Sequence, residues 1–405
     1  MQTLPENREM TTYTASEERM WDNFKPERAQ PPTDEEINQK YVKNEQRIVT
    51  ETNREQLPNF VAALRRKDWM KLQPFYQRRR RWDDKRKSKL IESFIMNIPV
   101  PPCFLYESEF ARYEVMDGQQ RISTIWDFYE NRFKLKGLEQ WPELNGRIYD
   151  RLPSEIQKGL ERRSISYSVL LKESARNSDD EVLLRQQVFE RLNTGGVELE
   201  NQEIRHCIYH SAFDELLIEL SRHELMREAW GLVKYSTDED INPPEKLLNN
   251  PHFSKMQDAE FILRCFALRH ADKYRGGMQS FLDQYMVRSR KFINDDIAIL
   301  RELFIKTIDL AYRLYGEHIF RPWNIKTNQW ASKPQIAFAD AIMVGLSNVL
   351  DKGQVLLARR DEVIEATKQL VLNSPIGTFT GQRNTKIDVV NRIDVFKNML
   401  LAKAQ

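Results

Sequence analysis

The chain has 405 residues, of which 40% are hydrophobic and 30% are charged, and its formal net charge is only +2. This length allows two or three domains, each with its own core, and the near-neutral balance excludes a protein that binds nucleic acid through overall charge. The three cysteines, Cys103, Cys207 and Cys265, are too far apart for a zinc ribbon or a disulfide framework. We therefore expect a reducing compartment.

Residues 1–50 are polar and charged, and they predict an N-terminal arm followed by a short charged helix from about residue 33 to about residue 49. The first 25 residues have no apolar segment of the kind that a secretory signal needs. No apolar run reaches the roughly 18–20 residues of a membrane-spanning helix. We therefore expect a soluble, cytoplasmic protein that has no membrane partner.

Residues 51–210 mix helical and strand patterns, which predicts an α+β domain. We expect a short helix from residue 57, helices over residues 83–97, 119–129 and 178–192, and a helix that opens at residues 152–155. We expect strands just before Pro74 and over residues 103–106, 112–116, 133–135 and 164–171. From residue 211 to residue 405 the pattern is almost entirely that of amphipathic helices. The sequence thus predicts an α+β domain followed by a mainly α-helical domain.

The segment from Asp117 through Gly118, Gln119 and Gln120 to Arg121 lies at a predicted strand-to-helix turn. The amides of a helix's first turn suit an anion, and a glycine lets a phosphate approach the backbone. Arg121 could fork onto phosphate oxygens. From spacing alone, an ordinary helix cap with a surface arginine explains the segment better.

A basic run begins just before the predicted helix at residue 83. Eight basic residues fall within residues 78–89, beside Tyr76 and Trp82. The five that we assign to nucleic-acid binding are Arg79, Arg80, Arg81, Arg86 and Lys87. Basic side chains beside aromatic rings suit a phosphate backbone and a stacked nucleobase. A solvated helix face explains the run about as well.

His206 and His210 lie four residues apart, one turn after Glu203, but this spacing is a weak metal signal. Cys207 occupies the position where zinc proteases of this spacing have a catalytic glutamate, and no third ligand is evident. No cluster of side chains predicts a metal site. A Mg²⁺ ion held through Asp117 alone remains an expectation.

Four segments in this order resemble the N-terminal domain of the GmrSD-type modification-dependent restriction endonucleases, a bacterial and phage family. They are Tyr76-Gln77-Arg78 with Trp82, residues 90–93 leading to 98–102, residues 117–121, and residues 189–196 followed by 203–205. The resemblance covers roughly residues 51–290. It implies that residues 51–210 have a fold similar to ParB and sulfiredoxin, with a nucleotide-binding turn at Gly118.

The resemblance also implies roles for individual residues. Asp117, Gln120 and Arg121 correspond to catalytic positions, and Gly118 and Gln119 to the phosphate-binding turn. Supporting contacts to the nucleotide are implied for Gln77, Arg78 and Asn193. The expected cofactor is an NTP with Mg²⁺, and the expected partner is DNA.

Full-length relatives often carry a C-terminal HNH nuclease domain, whose motif the later histidines of this chain do not form. We therefore expect a chain without its own HNH nuclease, which acts with a separate nuclease subunit, senses nucleotide state, or belongs to a phage and has another role. The leading hypothesis is a nucleotide-binding, NTP-hydrolysing, DNA-directed module of a bacterial or phage restriction or defence system. The alternatives are a non-catalytic DNA-binding or regulatory protein and a ParB-like nuclease.

Overall fold

The computed structural model describes residues 13–22, 33–43, 50–66, 68–71, 82–174, 178–192, 200–240, 243–324, 326–382 and 385–405. Contacts divide the chain into two compact units. The sheet unit is Glu27–Leu199, and the helical unit joins Met1–Pro26 to Glu200–Gln405. These bounds differ from the domains predicted at residues 1–50, 51–210 and 211–405, which stay predictions.

The sheet unit contains a five-stranded mixed sheet in the order β1-β5-β3-β4-β2. The strands are β1 Thr50–Gln56, β2 Met70–Lys71, β3 Cys103–Glu109, β4 Arg112–Asp117 and β5 Ser164–Leu170. β1 is antiparallel to β5 and β3 is antiparallel to β4, whereas β3 is parallel to β5 and β2 is parallel to β4. β4 therefore lies inside the sheet, between β3 and β2.

Helix α1 (Ala15–Arg19) belongs to the helical unit, and the next helices belong to the sheet unit. They are α2 Asp34–Lys43, α3 Leu57–Leu64, α4 Asp84–Ile95, α5 Gln119–Tyr129, α6 Ser154–Glu161 and α7 Ser178–Leu192, with short 3-10 helices at Pro142–Leu144, Tyr149–Arg151 and Lys172–Ser174. Apolar side chains from the helices and the strands share one core. Its members include Phe60, Ile91, Leu105, Val115, Ile122, Ile125, Phe128 and Val169.

Local sequence explains where α4 begins and ends. The Asp83 carboxylate accepts a hydrogen bond of 2.7 Å from the Arg86 amide, which caps the first turn. The helix ends at Ile95, and Pro99 follows shortly after it. Leu90, Ile91 and Phe94 are buried, so this helix covers the core with the face that its periodicity predicts.

The strand predicted at residues 133–135 does not form. Leu135 instead donates to the Arg147 carbonyl at 2.9 Å and accepts from the Gly146 amide at 2.7 Å, within a loop. Strand β1 was not predicted, because its sequence, Thr-Glu-Thr-Asn-Arg-Glu-Gln, has no apolar alternation. It forms as a polar edge strand, paired along its whole length with β5.

As far as its residues are described, the helical unit consists of helices and one short hairpin. Its helices are α1, α8 Asn201–Ile208, α9 Ala212–Ser221, α10 Glu224–Ala229, α11 Glu245–Leu248, α12 Pro251–Ser254, α13 Gln257–Ala267, α14 Gly277–Ser289, α15 Asn294–Tyr315, α16 Ile336–Ser347, α17 Gly353–Ala358, α18 Arg360–Asn373 and α19 Lys386–Lys403. Its 3-10 helices are Thr237–Asp240, Leu268–Lys273, Gly316–His318 and Leu350–Lys352. The hairpin is formed by β6 Trp323–Asn324 and β7 Gln329–Trp330.

The predicted class, a small sheet in an α+β region followed by a mainly helical region, is confirmed. The core of the helical part is built around α13, α15, α16 and α19. Ile262, Leu300, Phe338 and Phe396 from these helices are each at most 1% exposed. Within the described residues, no single helix is both long enough and apolar enough to cross a membrane.

Candidate functional site

The turn between β4 and α5 has the geometry that the sequence predicts for residues 117–121. β4 ends at Asp117, and α5 begins at Gln119. Gly118 stands between them with φ +92° and ψ 10°, in the left-handed region, and no side chain caps the helix. Because the first-turn amides of a helix carry partial positive charge, this turn has the polarity of an anion site.

Gly118 is also enclosed by neighbouring side chains. A Cβ atom at this position would lie 2.4 Å from Cys103 Sγ and 2.9 Å from Arg121 Nη2. The Cys103 thiol is fully buried and donates weakly to the Gly118 carbonyl at 3.9 Å. Burial raises the pKa of the Cys103 thiol to about 11, although the nearby Arg121 acts in the opposite direction. Cys103 therefore packs beneath the turn as a neutral thiol.

Asp117 and Arg121 form an ion pair at this turn. Arg121 Nη2 lies 2.6 Å from Asp117 Oδ2 and 3.5 Å from the Pro102 carbonyl oxygen. The Asp117 side chain is 47% exposed, whereas that of Arg121 is 15% exposed. The Nε atom of Arg121 is buried and has no hydrogen-bond partner in the part of the chain that the structure describes. The pair thus has an accessible carboxylate and a largely enclosed guanidinium.

The side chains of the two glutamines in the turn have surroundings that differ from those of the ion pair. Gln120 Oε1 accepts a hydrogen bond of 3.1 Å from the Trp82 amide, so it ties the first turn of α5 to the segment that leads into α4. Gln119 is 8% exposed and lies against the core. The structure therefore gives Gln120 a positioning contact, and its predicted catalytic role remains a prediction.

Several predicted site residues fall outside the described residues. These are Gln77, Arg78, Arg79, Arg80, Arg81 and Asn193. Their roles in binding a nucleotide or nucleic acid stay predictions. Of the predicted nucleic-acid contacts, Arg86 and Lys87 are described, and both belong to the first turn of α4.

These two residues have different surroundings. Arg86 is exposed. Lys87 Nζ lies 2.9 Å from Asp127 Oδ2 and 5.2 Å from the centre of the Phe133 ring. Because its charge is paired within the sheet unit, Lys87 resembles a structural ion pair more closely than a phosphate contact. Arg86 remains the better candidate of the two.

The residues at the turn include one carboxylate of the kind that a Mg²⁺ ion uses in proteins. The described residues contain no group of three or more histidine, cysteine, aspartate or glutamate side chains that could hold a metal ion. Mg²⁺ commonly takes only one or two protein carboxylates and completes its shell with phosphate oxygens and water. Asp117, with its exposed carboxylate, is a donor of this kind. Arg121 and the first turn of α5 would hold the phosphates.

His206 and His210 converge on one aspartate. His206 Nδ1 lies 2.6 Å from Asp214 Oδ1, and His210 Nδ1 lies 3.5 Å from Asp214 Oδ2. His206 and Asp214 are buried, whereas His210 is 52% exposed. Glu203 accepts from the Glu200 amide in a capping box at the start of α8. These contacts explain the spacing of the two histidines without a metal.

Sequence reasoning did not identify the contacts that Cys103 and the Trp82 amide make at this site. The contact of Cys103 with Gly118 depends on the register that places β3 beside the end of β4. Trp82 enters through its backbone amide, which carries no sequence signal. Both contacts follow from the sheet topology.

Comparison with known proteins found a match to one family model. Residues 59–210 match the model of the family described as GmrSD restriction endonuclease, N-terminal domain. The matched region contains β2 to β5 and the turn at Gly118. No curated protein and no solved structure matched the chain.

Proposed function

We propose that this chain, whose residues 59–210 match the model of the family described as GmrSD restriction endonuclease, N-terminal domain, is a nucleotide-binding, NTP-hydrolysing module of a restriction or defence system. In this proposal its target is DNA, its cofactor is an NTP with Mg²⁺, and a separate nuclease subunit cuts the DNA. The proposed location is the cytoplasm. The family match is the observation that associates the chain with restriction and defence systems.

The observation that carries the proposal is the enclosed Gly118 turn. A left-handed glycine joins a strand inside the sheet to an uncapped helix, and the Asp117–Arg121 pair lies at the same turn. Helix N-termini of this kind bind phosphates in many nucleotide-binding proteins. Because Gly118 has no Cβ, Cys103 and Arg121 can pack directly against the turn, which brings the guanidinium close to its backbone.

Each residue of the pair has a distinct task in this proposal. Arg121 donates to phosphate oxygens and stabilises the negative charge that develops during phosphoryl transfer. Asp117 would hold Mg²⁺, which supplies charge neutralisation and orientation when it is bound with the nucleotide. Gln120 keeps the first turn of α5 in place through the Trp82 amide.

The ion pair also implies a role for Asp117 in selecting the ligand. In the structure, Asp117 neutralises Arg121 at 2.6 Å. A phosphate that arrives alone therefore meets little net charge from the pair, whereas a phosphate that arrives with a divalent cation brings a partner for the carboxylate. The site is thus suited to a nucleotide in its metal complex.

Phosphate release from each of the four NTPs, with Mg²⁺ and with or without DNA, tests the proposal. We expect turnover by the wild-type protein with at least one nucleotide. Arg121→Ala removes a charge that stabilises the transition state, so we expect turnover to fall by about 100-fold or more. Asp117→Asn should also abolish turnover while it leaves the protein folded.

Arg112→Ala is the matched control. Arg112 pairs with Glu109 at 2.9 Å, at the opposite end of β4 from Asp117, about 17 Å away by strand rise. Turnover should be unchanged in this variant. Absence of turnover with all four NTPs in folded wild-type protein would contradict NTP hydrolysis. The two remaining functions would then be a binding module and a nuclease, and a plasmid-nicking assay on the same sample distinguishes them.

A further inference from the structure

A small hairpin in the helical unit combines aromatic and basic residues. We define the Trp hairpin as residues 318–335, which contain β6 and β7. This stretch includes His318, Arg321, Lys326 and Lys333 and no acidic residue. We propose that the Trp hairpin binds unpaired nucleotides of a nucleic acid, with its rings stacking on a base and its cations contacting phosphates.

The aromatic rings pack against one another, Trp323 edge-to-face on Trp330 and His318 face-to-face on Trp330. Trp323 and Trp330 are directly opposite each other on β6 and β7, with ring centroids 5.3 Å apart and planes at 88°. The His318 ring stacks on Trp330 at 5.4 Å, with planes at 16°. The His318 side chain is 40% exposed, so the stacked His318–Trp330 pair ends in a partly exposed ring. Another ring, such as a nucleobase, can extend such a stack.

Basic side chains belong to the hairpin or lie beside it. Lys368 Nζ lies 4.6 Å from the centre of the Trp323 ring. Lys326 and Lys333 are exposed, and the buried Nε of Arg321 has no hydrogen-bond partner among the described residues. Two acids lie beside the hairpin, since Glu317 is 3.7 Å from His318 and Glu365 is 3.5 Å from Lys368. The hairpin itself remains positive, which suits a phosphate backbone.

The turn is held in shape by its own hydrogen bonds. Asn324 Oδ1 accepts from the Lys326 amide at 2.9 Å and from the Thr327 amide at 3.4 Å. The Ala331 amide donates to the Pro322 carbonyl at 2.9 Å, which closes the hairpin. Lys326 and Thr327 are exposed. A preorganised surface loses less conformational entropy on binding.

The same Trp pair could serve only to stabilise a short hairpin, because cross-strand aromatic pairs do so in many proteins. That role does not require an exposed histidine ring at the end of the stack or a stretch of 18 residues without an acid. An open ring face can stack only on a base whose own face is exposed. The ligand is therefore single-stranded, as DNA or as RNA.

Fluorescence anisotropy of the full chain with labelled 20-nucleotide oligo-dT, oligo-rU and a 20-base-pair duplex tests the proposal. We expect the wild type to prefer at least one single strand over the duplex. His318→Ala should weaken single-strand binding about tenfold because a stacking surface is lost. Lys326→Ala with Lys333→Ala should lower the slope of log K against log salt by about 1.4.

Matched controls separate these effects from general charge or folding. Lys246→Ala with Lys291→Ala removes two exposed lysines elsewhere in the helical unit and should change neither affinity nor slope. His318→Phe keeps a flat ring and should bind within about twofold of the wild type. Thermal melting of each variant shows that it is folded.

Tighter binding of oligo-dT would assign the hairpin to DNA, and tighter binding of oligo-rU would assign it to RNA, and either supports the proposal. Three results would overturn it. These are no binding of either single strand, preference for the duplex, and single-strand binding that the hairpin variants leave unchanged. None of these results depends on whether the Gly118 turn hydrolyses a nucleotide.

Discussion

Gly118 meets two separate demands of the turn between β4 and α5. Its φ of +92° is unfavourable for any residue that has a Cβ. The space where a Cβ would lie is also taken by Cys103 Sγ, at 2.4 Å. The chain offers a natural comparison in Gly146, which has φ +83° and no atom within 4 Å of such a Cβ. These two glycines separate backbone strain from steric overlap.

Gly118→Ala should therefore destabilise the sheet unit more than Gly146→Ala does. We expect about 1 kcal/mol for Gly146→Ala from backbone strain alone. We expect about 3 kcal/mol for Gly118→Ala, because overpacking adds to that strain. Urea unfolding followed by circular dichroism measures both values. In a Cys103→Ala background the extra loss at Gly118 should shrink. Equal losses at the two glycines would contradict the steric contact.

The sequence predicts where the turn lies but not how its side chains are used. Asp117 and Arg121 are four residues apart, so their proximity follows from the local geometry of a strand end and a first helical turn. The contact of Gln120 with Trp82 joins residues 38 positions apart. The contact of Gly118 with Cys103 crosses two strands. Only tertiary structure brings these groups together.

At the scale of elements, helices and strands with apolar periodicity were predictable. The predicted helices at residues 83–97 and 119–129 correspond to α4 (Asp84–Ile95) and α5 (Gln119–Tyr129). The predicted strand at residues 164–171 corresponds to β5 (Ser164–Leu170). Each of these segments buries one face, and that burial is the physical origin of its pattern.

Polar elements and strand order were not predictable in the same way. β1 has exposed and half-exposed residues throughout, so hydrophobic alternation cannot reveal it. The parallel pairing of β3 with β5 joins strands about 60 residues apart, and nothing local encodes that choice. The loop at residues 133–135 carries apolar side chains into the core without forming a strand.

The ion-pair partners of the basic residues in α4 could not be predicted from the sequence either. The sequence shows a run of bases, but it does not show their partners. Lys87 pairs with Asp127 and Lys89 pairs with Glu139, at 2.9 and 2.8 Å. Because both acids lie about 40 to 50 residues further along the chain, the pairing depends on the fold. Counting the basic residues of such a run in the sequence therefore overestimates the positive charge that is available to a ligand.

At the scale of the whole molecule, the helical unit includes a segment from the N-terminus of the chain. Glu17 of α1 is fully buried, and its Oε1 atom lies 2.7 Å from Arg269 Nη1 and 3.0 Å from the Tyr285 hydroxyl. Trp21 stacks on Phe281 at 6.0 Å. Contacts between residues more than 250 positions apart leave no local pattern, so the sequence predicted only a polar arm here.

Burial acts to raise the pKa of Glu17, but the charge of Arg269 and the hydrogen bonds from His270 and the Thr14 amide outweigh it. The pKa of Glu17 therefore lies below its ordinary value of 4.5. A carboxylate of this kind stabilises the folded state fully above its unfolded pKa. That stabilisation is lost as the pH falls through the folded pKa.

Glu17→Gln should lower the free energy of unfolding of the helical unit by about 3 kcal/mol at pH 7, since it leaves Arg269 buried without its partner. The difference from the wild type should shrink as the pH falls below about 4.5. Chemical denaturation at several pH values measures both effects. Glu18→Gln, at the exposed neighbouring position, is the control and should change little. A loss that does not vary with pH would contradict the ionised state of Glu17.

The central claim is that the turn from Asp117 to Arg121 binds a nucleotide's phosphates. Titration calorimetry with each NTP and Mg²⁺, on wild type and Arg121→Ala, tests that claim directly. We predict that the wild type binds at least one nucleotide, and that Arg121→Ala binds it about 30-fold more weakly, as expected for a lost charge-assisted hydrogen bond. Equal affinity in the two proteins, both shown to be folded, would contradict a phosphate site at this turn.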